Sequence, residues 1–291
     1  MATQLKCYLC GGKMAPFLRK NGYDIFACSG CGLKSTALNE NYETFVNRFY
    51  ARGYYTGDPR YAAYASYTSD KWIISRNLRK FLKKVLQYKK SGKLLDVGCA
   101  MGYFVEMAGK AGFDAYGFDA SEFAVKKAKA KLNGRIEHGT IQSVKYRPKT
   151  FDVITMFDVI EHLGDPAKDL KKLATLLKDD GVLIVATGNT LSRAALVLKR
   201  RWTFYIPPQH LFFFTKKNFA DLMEANSFTP AEWFGINKWL SLRYVLHLAR
   251  SSGESDLADF LYTLVVNARL GWLPLYLPMR DNMAVVAKKR K

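Results

Sequence analysis

The chain has 291 residues, of which 49% are hydrophobic and 14% aromatic, so it can bury the core of one or two domains. Neither the N-terminus MATQLKCYLC nor any later stretch holds the roughly twenty apolar residues of a membrane span, which predicts a cytoplasmic protein without a signal peptide. The net charge of +20 predicts attraction to phosphate in nucleic acid, anionic lipid or a nucleotide-linked substrate, although a lysine-rich surface that serves solubility explains it as well. Nucleic acid is the less favoured partner, because no motif of a nucleic-acid-binding module accompanies the charge.

Two similar turns near the N-terminus each carry a pair of cysteines, separated by a stretch that predicts a β-hairpin at Asn21-Gly22. The four cysteines are Cys7, Cys10, Cys28 and Cys31. Four thiolates complete a tetrahedral zinc site, whereas disulfides, the alternative, are disfavoured in a cytoplasmic chain. With every metal position filled by cysteine, the zinc is predicted to be structural, and residues 1–37 to form its domain.

Residues 38–90 predict a connector followed by a helix. The stretch NRFYARGYYTGDPRYAAYASY at 47–67 is rich in tyrosine, which favours a segment that packs on the next domain and borders its substrate cleft. Residues 72–90 place apolar side chains on one face and basic ones on the other, which predicts an amphipathic helix. We expect that helix to pack on a sheet, and a helix lying on a membrane is the alternative.

The stretch KLLDVGCAMGYF at 93–104 predicts a buried strand, a glycine turn and the start of a helix. Glycine lets the backbone bend sharply and lets a ligand lie directly on it. A second apolar stretch ends in Asp119, and an acid at that strand tip accepts hydrogen bonds from ribose hydroxyls. The loop lacks the G-x-G-x-x-G spacing of dinucleotide sites, and Asp96 suits the ammonium group of an aminoacyl nucleoside.

Strands and helices alternate through the rest of the core, which predicts an α/β fold with a parallel sheet covered on both faces. The predicted strands lie near 93–98, 114–118, 135–138, 151–157 and 181–187. A helix at 215–226 and a strand at 228–234 follow, then an aromatic, helical insertion at about 237–280 and a closing strand at 282–287. Trp272 and Tyr276 stand beside prolines in this insertion and could touch a lipid interface.

The segment DVGCAMG resembles the first motif, D/E-x-G-x-G-x-G, of class I S-adenosylmethionine-dependent methyltransferases, with Ala100 at the middle glycine. The resemblance continues through YGFDAS at 116–121, HGTIQSV at 138–144, FDVITMFDVIEHLGDP at 151–166 and LLKDDGVLIVATGN at 176–189. It implies a Rossmann-like, seven-stranded methyltransferase domain over residues 91–291 whose final strand is antiparallel. The cysteine pattern is similar to the zinc ribbons that precede some methyltransferases of sugar and natural-product pathways.

The resemblance also implies which residues bind S-adenosylmethionine. Asp96 and the glycine turn would hold the methionine part, Asp119 the ribose, Ile141 with Gln142 the adenine, and Phe157 would border the methyl-transfer centre. The residues assigned to the cofactor are Asp96, Gly98, Ala100, Gly102, Asp119, Ala120, Ile141, Gln142 and Phe157.

Methyl transfer is an in-line displacement, and a neutral hydroxyl acceptor must also lose a proton to a base. His162 follows the fourth strand by one turn, and His210 lies in the stiff segment YIPPQH. Asp158 and Glu161 are carboxylates in the same region. We therefore predict that His162, His210 or Asp158 serves catalysis.

The acceptor most favoured at this point is a hydroxyl of a sugar, lipid- or nucleotide-linked, because of the zinc ribbon and the positive charge. A ubiquinone-like phenol is the second enzyme hypothesis, and a nucleic-acid-binding protein or RNA methyltransferase the third. The charge and the aromatic insertion further suggest peripheral contact with an anionic membrane, at its inner face.

Overall fold

The structure, a computed structural model, describes residues 5–56, 66–132, 134–251 and 256–290, in which the strands form two sheets. The strands are β1 (Met14–Lys20), β2 (Tyr23–Cys28), β3 (Lys34–Thr36), β4 (Gly92–Val97), β5 (Phe113–Asp119), β6 (Ile136–His138), β7 (Phe151–Phe157), β8 (Leu177–Gly188), β9 (Phe212–Phe213), β10 (Phe228–Ser241) and β11 (Pro274–Lys289). The helices are α1 (Tyr42–Phe49), α2 (Arg52–Thr56), α3 (Lys71–Tyr88), α4 (Tyr103–Lys110), α5 (Glu122–Lys129), α6 (Pro166–Leu176), α7 (Arg193–Leu198), α8 (Lys216–Ala225), α9 (Leu242–Ser251) and α10 (Asp256–Asn267).

The smaller sheet has the strand order β1-β2-β3-β9 and carries the four cysteines at its turns. Asn21 and Gly22 both have positive φ, 51° and 78°, as a tight hairpin turn requires, so the predicted hairpin is confirmed. The fourth strand, β9, comes from far along the chain and pairs with β3. We call the described residues 5–37 the cysteine domain. Backbone hydrogen bonds between β3 and β9 therefore join the cysteine domain to the larger domain.

The larger sheet has the order β10-β11-β8-β7-β4-β5-β6 and is the predicted seven-stranded α/β sheet. The five strands from β8 to β6 are parallel, while β11 is antiparallel to both β8 and β10, as expected for the final strand. Helices cover both faces because the central strands are apolar on both sides; Leu94, Leu95, Val153 and Ile154 have no exposed surface.

Helix α3 packs against the core, as the sequence predicted. Phe81 and Val85 join the apolar cluster that contains Leu94 of β4. Asn77 donates its Nδ2 to Trp239 O at 2.7 Å and accepts from Trp239 N at 2.9 Å. The helix is thus fixed to both the sheet and the extended part of β10.

The tyrosine-rich connector packs beside the glycine turn. Phe45, Tyr54 and Tyr55 form an apolar cluster with Met101 and Tyr103. Residues 57–65 of this connector lie outside the described residues. The described part of the connector covers the site at the carboxyl ends of β4 and β5.

The insertion predicted at 237–280 is shorter in the structure than the sequence suggested. Strand β10 continues to Ser241 and β11 begins at Pro274, so the predicted strands at 228–234 and 282–287 are the paired halves of two longer ones. Pro274 and Pro278 argued against a strand in this stretch of the sequence. Both are tolerated because this part of β11 pairs with β10 alone among the described strands. We call residues 242–273 the helical hairpin; no helix in the described ranges is both long and apolar enough to cross a bilayer.

Candidate active site

The glycine turn after β4 has the sharp backbone bend that the sequence predicted. Gly98 and Gly102 have φ values of 69° and 74°, and a Cβ at Gly98 would stand 2.5 Å from Val159 Cγ2. Ala100, at the middle position, also has a positive φ of 47°, and its N–H donates to Asp119 Oδ2 at 2.8 Å. Because the side chains of Val159 and Leu132 fill the places where the Cβ atoms of Gly98 and Gly102 would stand, only glycine fits at these two positions of the turn.

Two buried carboxyl groups, Asp96 and Asp119, lie at the ends of neighbouring strands. Thr155 Oγ1 donates to Asp96 Oδ1 at 2.7 Å, yet burial, with the charge of Asp119 nearby, raises the pKa of Asp96 to about 7. Burial likewise raises the pKa of Asp119, whose Oδ1 accepts from Ser121 N at 2.8 Å. A cationic ligand would restore the ionised form of Asp96, and Asp119 keeps lone pairs for hydroxyl donors. These residues therefore fit the ammonium and ribose groups of S-adenosylmethionine.

The residues predicted to contact adenine are placed less favourably. Ile141 is buried, and Gln142 donates one N–H of its Nε2 to Asp169 Oδ1 at 2.7 Å, which leaves one N–H and the carbonyl oxygen for adenine. Ala120 O lies 3.1 Å from His138 Nε2. Phe157 stacks on Phe81 with centroids 4.0 Å apart, so its ring is committed to packing against α3.

The two predicted histidines meet at the carboxyl edge, with ring centroids 4.7 Å apart. His162 Nδ1 lies 2.7 Å from Gln209 O, and His210 Nδ1 lies 2.7 Å from Phe204 O. Because a carbonyl only accepts, both Nδ1 atoms carry the proton and both Nε2 atoms keep a lone pair. Burial lowers the pKa of both rings, well below the usual value for His210, so each is neutral and able to accept a proton at pH 7.

Acidic residues surround this pair. Asp158 is exposed, has a positive φ of 52° and accepts from Asn282 Nδ2 at 2.8 Å. Burial, with Asp158 nearby, raises the pKa of Glu161 to about 8. The ligand atoms of Glu161, His162 and His210 lie within 4.8 Å of one another, so this group could hold a divalent cation as well as exchange a proton.

Among the described residues, three buried oxygens without hydrogen-bond partners belong to residues of the same region. Within the described part of the chain, Glu161 Oε1, Gln209 Oε1 and Asn282 Oδ1 are buried and have no partner. Such atoms are rare in native proteins and often mark a place where a ligand or ion binds. Tyr54 and Tyr50 lie beside them, since Gln209 Nε2 donates to Tyr54 OH at 3.0 Å and Tyr50 OH lies 2.9 Å from His162 Nδ1.

The cysteine domain holds the segment that carries His210. Thr36 donates its Oγ1 to His210 O at 2.8 Å, and Thr36 N donates to Leu211 O at the same distance. Leu211 N in turn donates to Glu161 O at 2.7 Å, and Asn21 Nδ2 to Pro207 O at 3.0 Å. No signal in the sequence pointed to these contacts, because they join residues far apart in the chain.

The four cysteines converge as the sequence predicted. The Sγ atoms of Cys7 and Cys31 are 3.6 Å apart and those of Cys10 and Cys28 are 3.5 Å apart. Tetrahedral Zn–S bonds of about 2.3 Å would separate the sulfurs by about 3.8 Å, so the residues fit a zinc ion. Burial raises the pKa of Cys7 and Cys31, whereas the backbone amides of Cys31 and Gly30 outweigh burial at Cys28 and help to lower its pKa to about 6.

The sheet order, the glycine turn and the two buried acids together define the class I S-adenosylmethionine-dependent methyltransferase fold. A family model described as "Methyltransferase domain" matches residues 64–232. The chain therefore belongs to the methyltransferase domain family, and it is an S-adenosylmethionine-dependent methyltransferase.

Similar proteins and structures agree with this class. The chain is 36% identical over 191 residues to "Ubiquinone biosynthesis O-methyltransferase" of Caulobacter vibrioides, covering 60% of this chain and 71% of that protein. It is 36% identical over 103 residues to the mitochondrial protein of that name from Schizosaccharomyces pombe, covering 33% and 37% of the two chains. A SAM-dependent methyltransferase from Archaeoglobus fulgidus matches the structure with a TM-score of 0.51 at 18% identity, covering 77% of this chain and 99% of that one. The YcgJ protein from Bacillus subtilis matches with a TM-score of 0.52 at 18% identity, covering 74% and 99%.

Proposed function

We propose that the protein transfers the methyl group of S-adenosylmethionine to the hydroxyl of a lipid-linked phenol similar to the intermediates of ubiquinone biosynthesis. The names of its relatives support the phenol more than the sugar first favoured from the sequence. The observation that carries the proposal is the pair of neutral histidines beside buried, partnerless oxygens at the carboxyl edge.

The acidity of the two acceptors separates the phenol from the sugar. A phenol has a pKa of about 10, whereas an aliphatic hydroxyl lies closer to that of water, about 15.7. Burial lowers the pKa of His162 and His210, which weakens them as bases. A weak neutral base can deprotonate a phenol during methyl transfer much more readily than a sugar hydroxyl.

Each residue of the site then has a role in donor binding or in proton transfer. Asp96 holds the ammonium group, the backbone at Gly98 and Gly102 admits the methionine part, and Asp119 accepts from the ribose. The bound cofactor supplies the electrophilic methyl group. His162 or His210 removes the phenol proton at Nε2, while Asp158 lies exposed beside them and stabilises the resulting imidazolium.

We also propose a structural zinc ion at Cys7, Cys10, Cys28 and Cys31. The convergence of the four thiols and the spacing of their sulfurs support it. A zinc site filled by four cysteines has no open position for substrate, so the metal stabilises the domain and takes no direct part in methyl transfer.

An acceptor panel tests the main proposal. Purified protein is incubated with labelled S-adenosylmethionine and with a prenylated catechol, a short-chain catechol or a nucleotide-linked sugar. We expect an O-methylated catechol, identified by mass spectrometry, and no product from the sugar. Methylation of the sugar alone would contradict the proposal.

Donor binding is tested separately by calorimetry. Asp119→Ala removes the acceptor of the ribose hydroxyls and should weaken S-adenosylmethionine binding by about 1.5–3 kcal/mol, the range for a charged hydrogen-bond partner. Asp114→Ala, on the same strand but paired with Arg135, is the control and should bind normally. Equal affinity in wild type and Asp119→Ala would place the donor elsewhere.

A further inference from the structure

Helix α10 presents an apolar stripe to solvent. Leu257, Phe260, Leu261 and Leu264 follow the spacing i, i+3, i+4, i+7 of one helix face, and they are 66%, 62%, 37% and 53% exposed. An amphipathic helix of a globular protein normally turns such a stripe towards the core. Here the stripe points outwards.

The packed face of α10 is a different one. Ala258 is buried, and Tyr262 and Val265 are partly buried, at the same helical spacing. The ring of Tyr262 lies 6.3 Å from that of His247 on α9, which identifies this face as the one against α9. The exposed stripe is therefore additional to the contacts that hold the helix in the fold.

Aromatic and basic residues flank the stripe. Trp272 is 57% exposed and Tyr276 is 46% exposed, at the end of the helical hairpin and the start of β11. Indole and phenol rings of this kind favour the boundary between lipid and water. Arg269 is exposed just after α10, and Arg280 is exposed further along β11, beside Gly235. Neither forms an ion pair with any residue that the structure describes.

Further basic residues without acidic partners among the described residues lie on α7 and in the three residues that follow it, and α7 packs against β11. Leu196 and Val197 are 55% and 79% exposed there. The exposed basic residues of this segment are Arg193, Lys199, Arg200 and Arg201. None of them has an acidic partner within the described ranges, so their charges remain available to an external anion.

The helical hairpin lies beyond the same carboxyl edge of the sheet that carries the active site. Strand β11 pairs with β8 only from Asn282 onwards, so the β10–β11 pair and the helical hairpin project from the carboxyl edge of the sheet. Asn282 contacts Asp158 directly. Although burial opposes its charge, Asp158 and Asp281 raise the pKa of Lys238 on the projecting part of β10. An acceptor dissolved in a bilayer would meet the site next to this surface.

We propose that the stripe on α10, with Trp272 and Tyr276, inserts into the surface of an anionic lipid bilayer. A second copy of the chain is the other apolar occupant to consider. A self-complementary contact would bring together two chains that each carry a net charge of +20, whereas anionic lipid is attracted by the same charge. The inference rests on the proposed function for the lipid-linked acceptor that this surface would serve.

Vesicle sedimentation of the full chain tests the proposal. The probes are vesicles of phosphatidylcholine alone and vesicles that also contain phosphatidylglycerol. We expect the wild type to bind the anionic vesicles at least tenfold more tightly, and binding to weaken as salt is added. Phe260→Glu should reduce binding to anionic vesicles at least tenfold.

Val266→Glu is the matched control, because it adds the same charge to an exposed residue on another face of α10. It should bind vesicles within about threefold of the wild type, the change expected when one unit of charge repels an anionic surface weakly. Phe260→Ser removes the ring without adding charge and should still lose most of the binding. Donor binding by calorimetry, measured for each variant, confirms that the fold is intact.

Three outcomes would overturn the inference. They are an absence of binding to anionic vesicles by the wild type, equal losses in Phe260→Glu and Val266→Glu, and a wild-type dimer that Phe260→Glu dissociates without any change in vesicle binding. Failure of the proposed function would be seen differently, as an absence of turnover with any phenol. A short-chain phenol in solution should be methylated equally well by wild type and Phe260→Glu.

Discussion

The cysteine domain and the helical hairpin adjoin the same edge of the seven-stranded sheet, but they are attached in different ways. The cysteine domain is held by apolar packing, with Leu33 in the main core cluster and Ile25 buried beside Trp202, and by directed polar contacts. Ser35 pairs with Phe212 in the sheet, Tyr8 OH donates to Asp165, and Asn218 Nδ2 donates to Cys31 O at 3.2 Å. The helical hairpin projects on two strands and exposes apolar side chains along α10.

This difference separates two tasks. Directed hydrogen bonds fix position, so the cysteine domain can hold the His210 segment against Glu161. Exposed apolar area has no preferred geometry and suits a fluid partner. We therefore expect changes in the cysteine domain to alter turnover. Changes on α10 should alter only the binding of the enzyme to anionic bilayers.

Loss of the metal should have the largest effect. Zinc in small metal-binding domains contributes an apparent binding free energy of about 10–16 kcal/mol, so Cys28→Ser should unfold the cysteine domain. Metal analysis should give one zinc per wild-type chain and less in the variant, whose turnover should fall while its donor affinity survives. Ser29→Ala, in the same turn, is the control. A metal-free chain with an intact N-terminal domain would contradict the zinc site.

Loss of the base should be next in size. His162→Ala or His210→Ala should reduce turnover by roughly 10²- to 10⁴-fold and leave donor affinity nearly unchanged, because a base contacts the acceptor and not the cofactor. Metal analysis of the wild type separates proton transfer from a cation held by Glu161, His162 and His210, since such a cation would be a second metal ion per chain besides the proposed zinc. Near wild-type turnover in both variants would assign the proton to Asp158 or Glu161.

Thr36→Val tests whether the cysteine domain positions the His210 segment. The valine keeps the shape but leaves the buried carbonyl of His210 without its side-chain donor, which should cost about 1–3 kcal/mol. Thr36→Ser restores the hydroxyl and should restore acceptor turnover as well as thermal stability. If Thr36→Val loses stability alone, with its acceptor kinetics unchanged, the contact is merely structural.

The smallest effect expected is a pH dependence of donor binding. The pKa of Asp96 is raised to about 7, so without donor the carboxyl is mostly protonated below that pH. Binding of an ammonium group requires the carboxylate, so affinity should fall by up to about tenfold per pH unit below pH 7 and level off above it. Calorimetry between pH 5.5 and about 7.5 checks this, and a flat profile would mean that Asp96 does not contact the charged group.

Much of the core was predictable from local patterns. The apolar runs that became β4, β5, β7 and β8 are bounded by turn residues, and each predicted boundary is close to the observed one except the early start of β8. The glycines at 98 and 102 have positive φ, in agreement with the sharp glycine turn that the sequence predicted. The donor side of the site follows from one short segment and the strand beside it.

The acceptor side was less predictable. The sequence identified His162 and His210 as candidates, but not that they touch or that Thr36, Tyr50 and Gln209 fix their surroundings. Strand β9 has only two residues, which is too short for any periodicity to be recognised. The prolines in β11 likewise hid the pairing that carries the helical hairpin away from the sheet.

The sequence by itself determined the strand and helix order, the cysteine pairs and the glycine turn, because each depends on residues close together in the chain. The tertiary structure decided what joins these parts. Pairing of β3 with β9, the contact of His162 with His210 and the outward direction of the stripe on α10 all depend on residues far apart in sequence. Such contacts form only after loops have closed, so no local pattern encodes them.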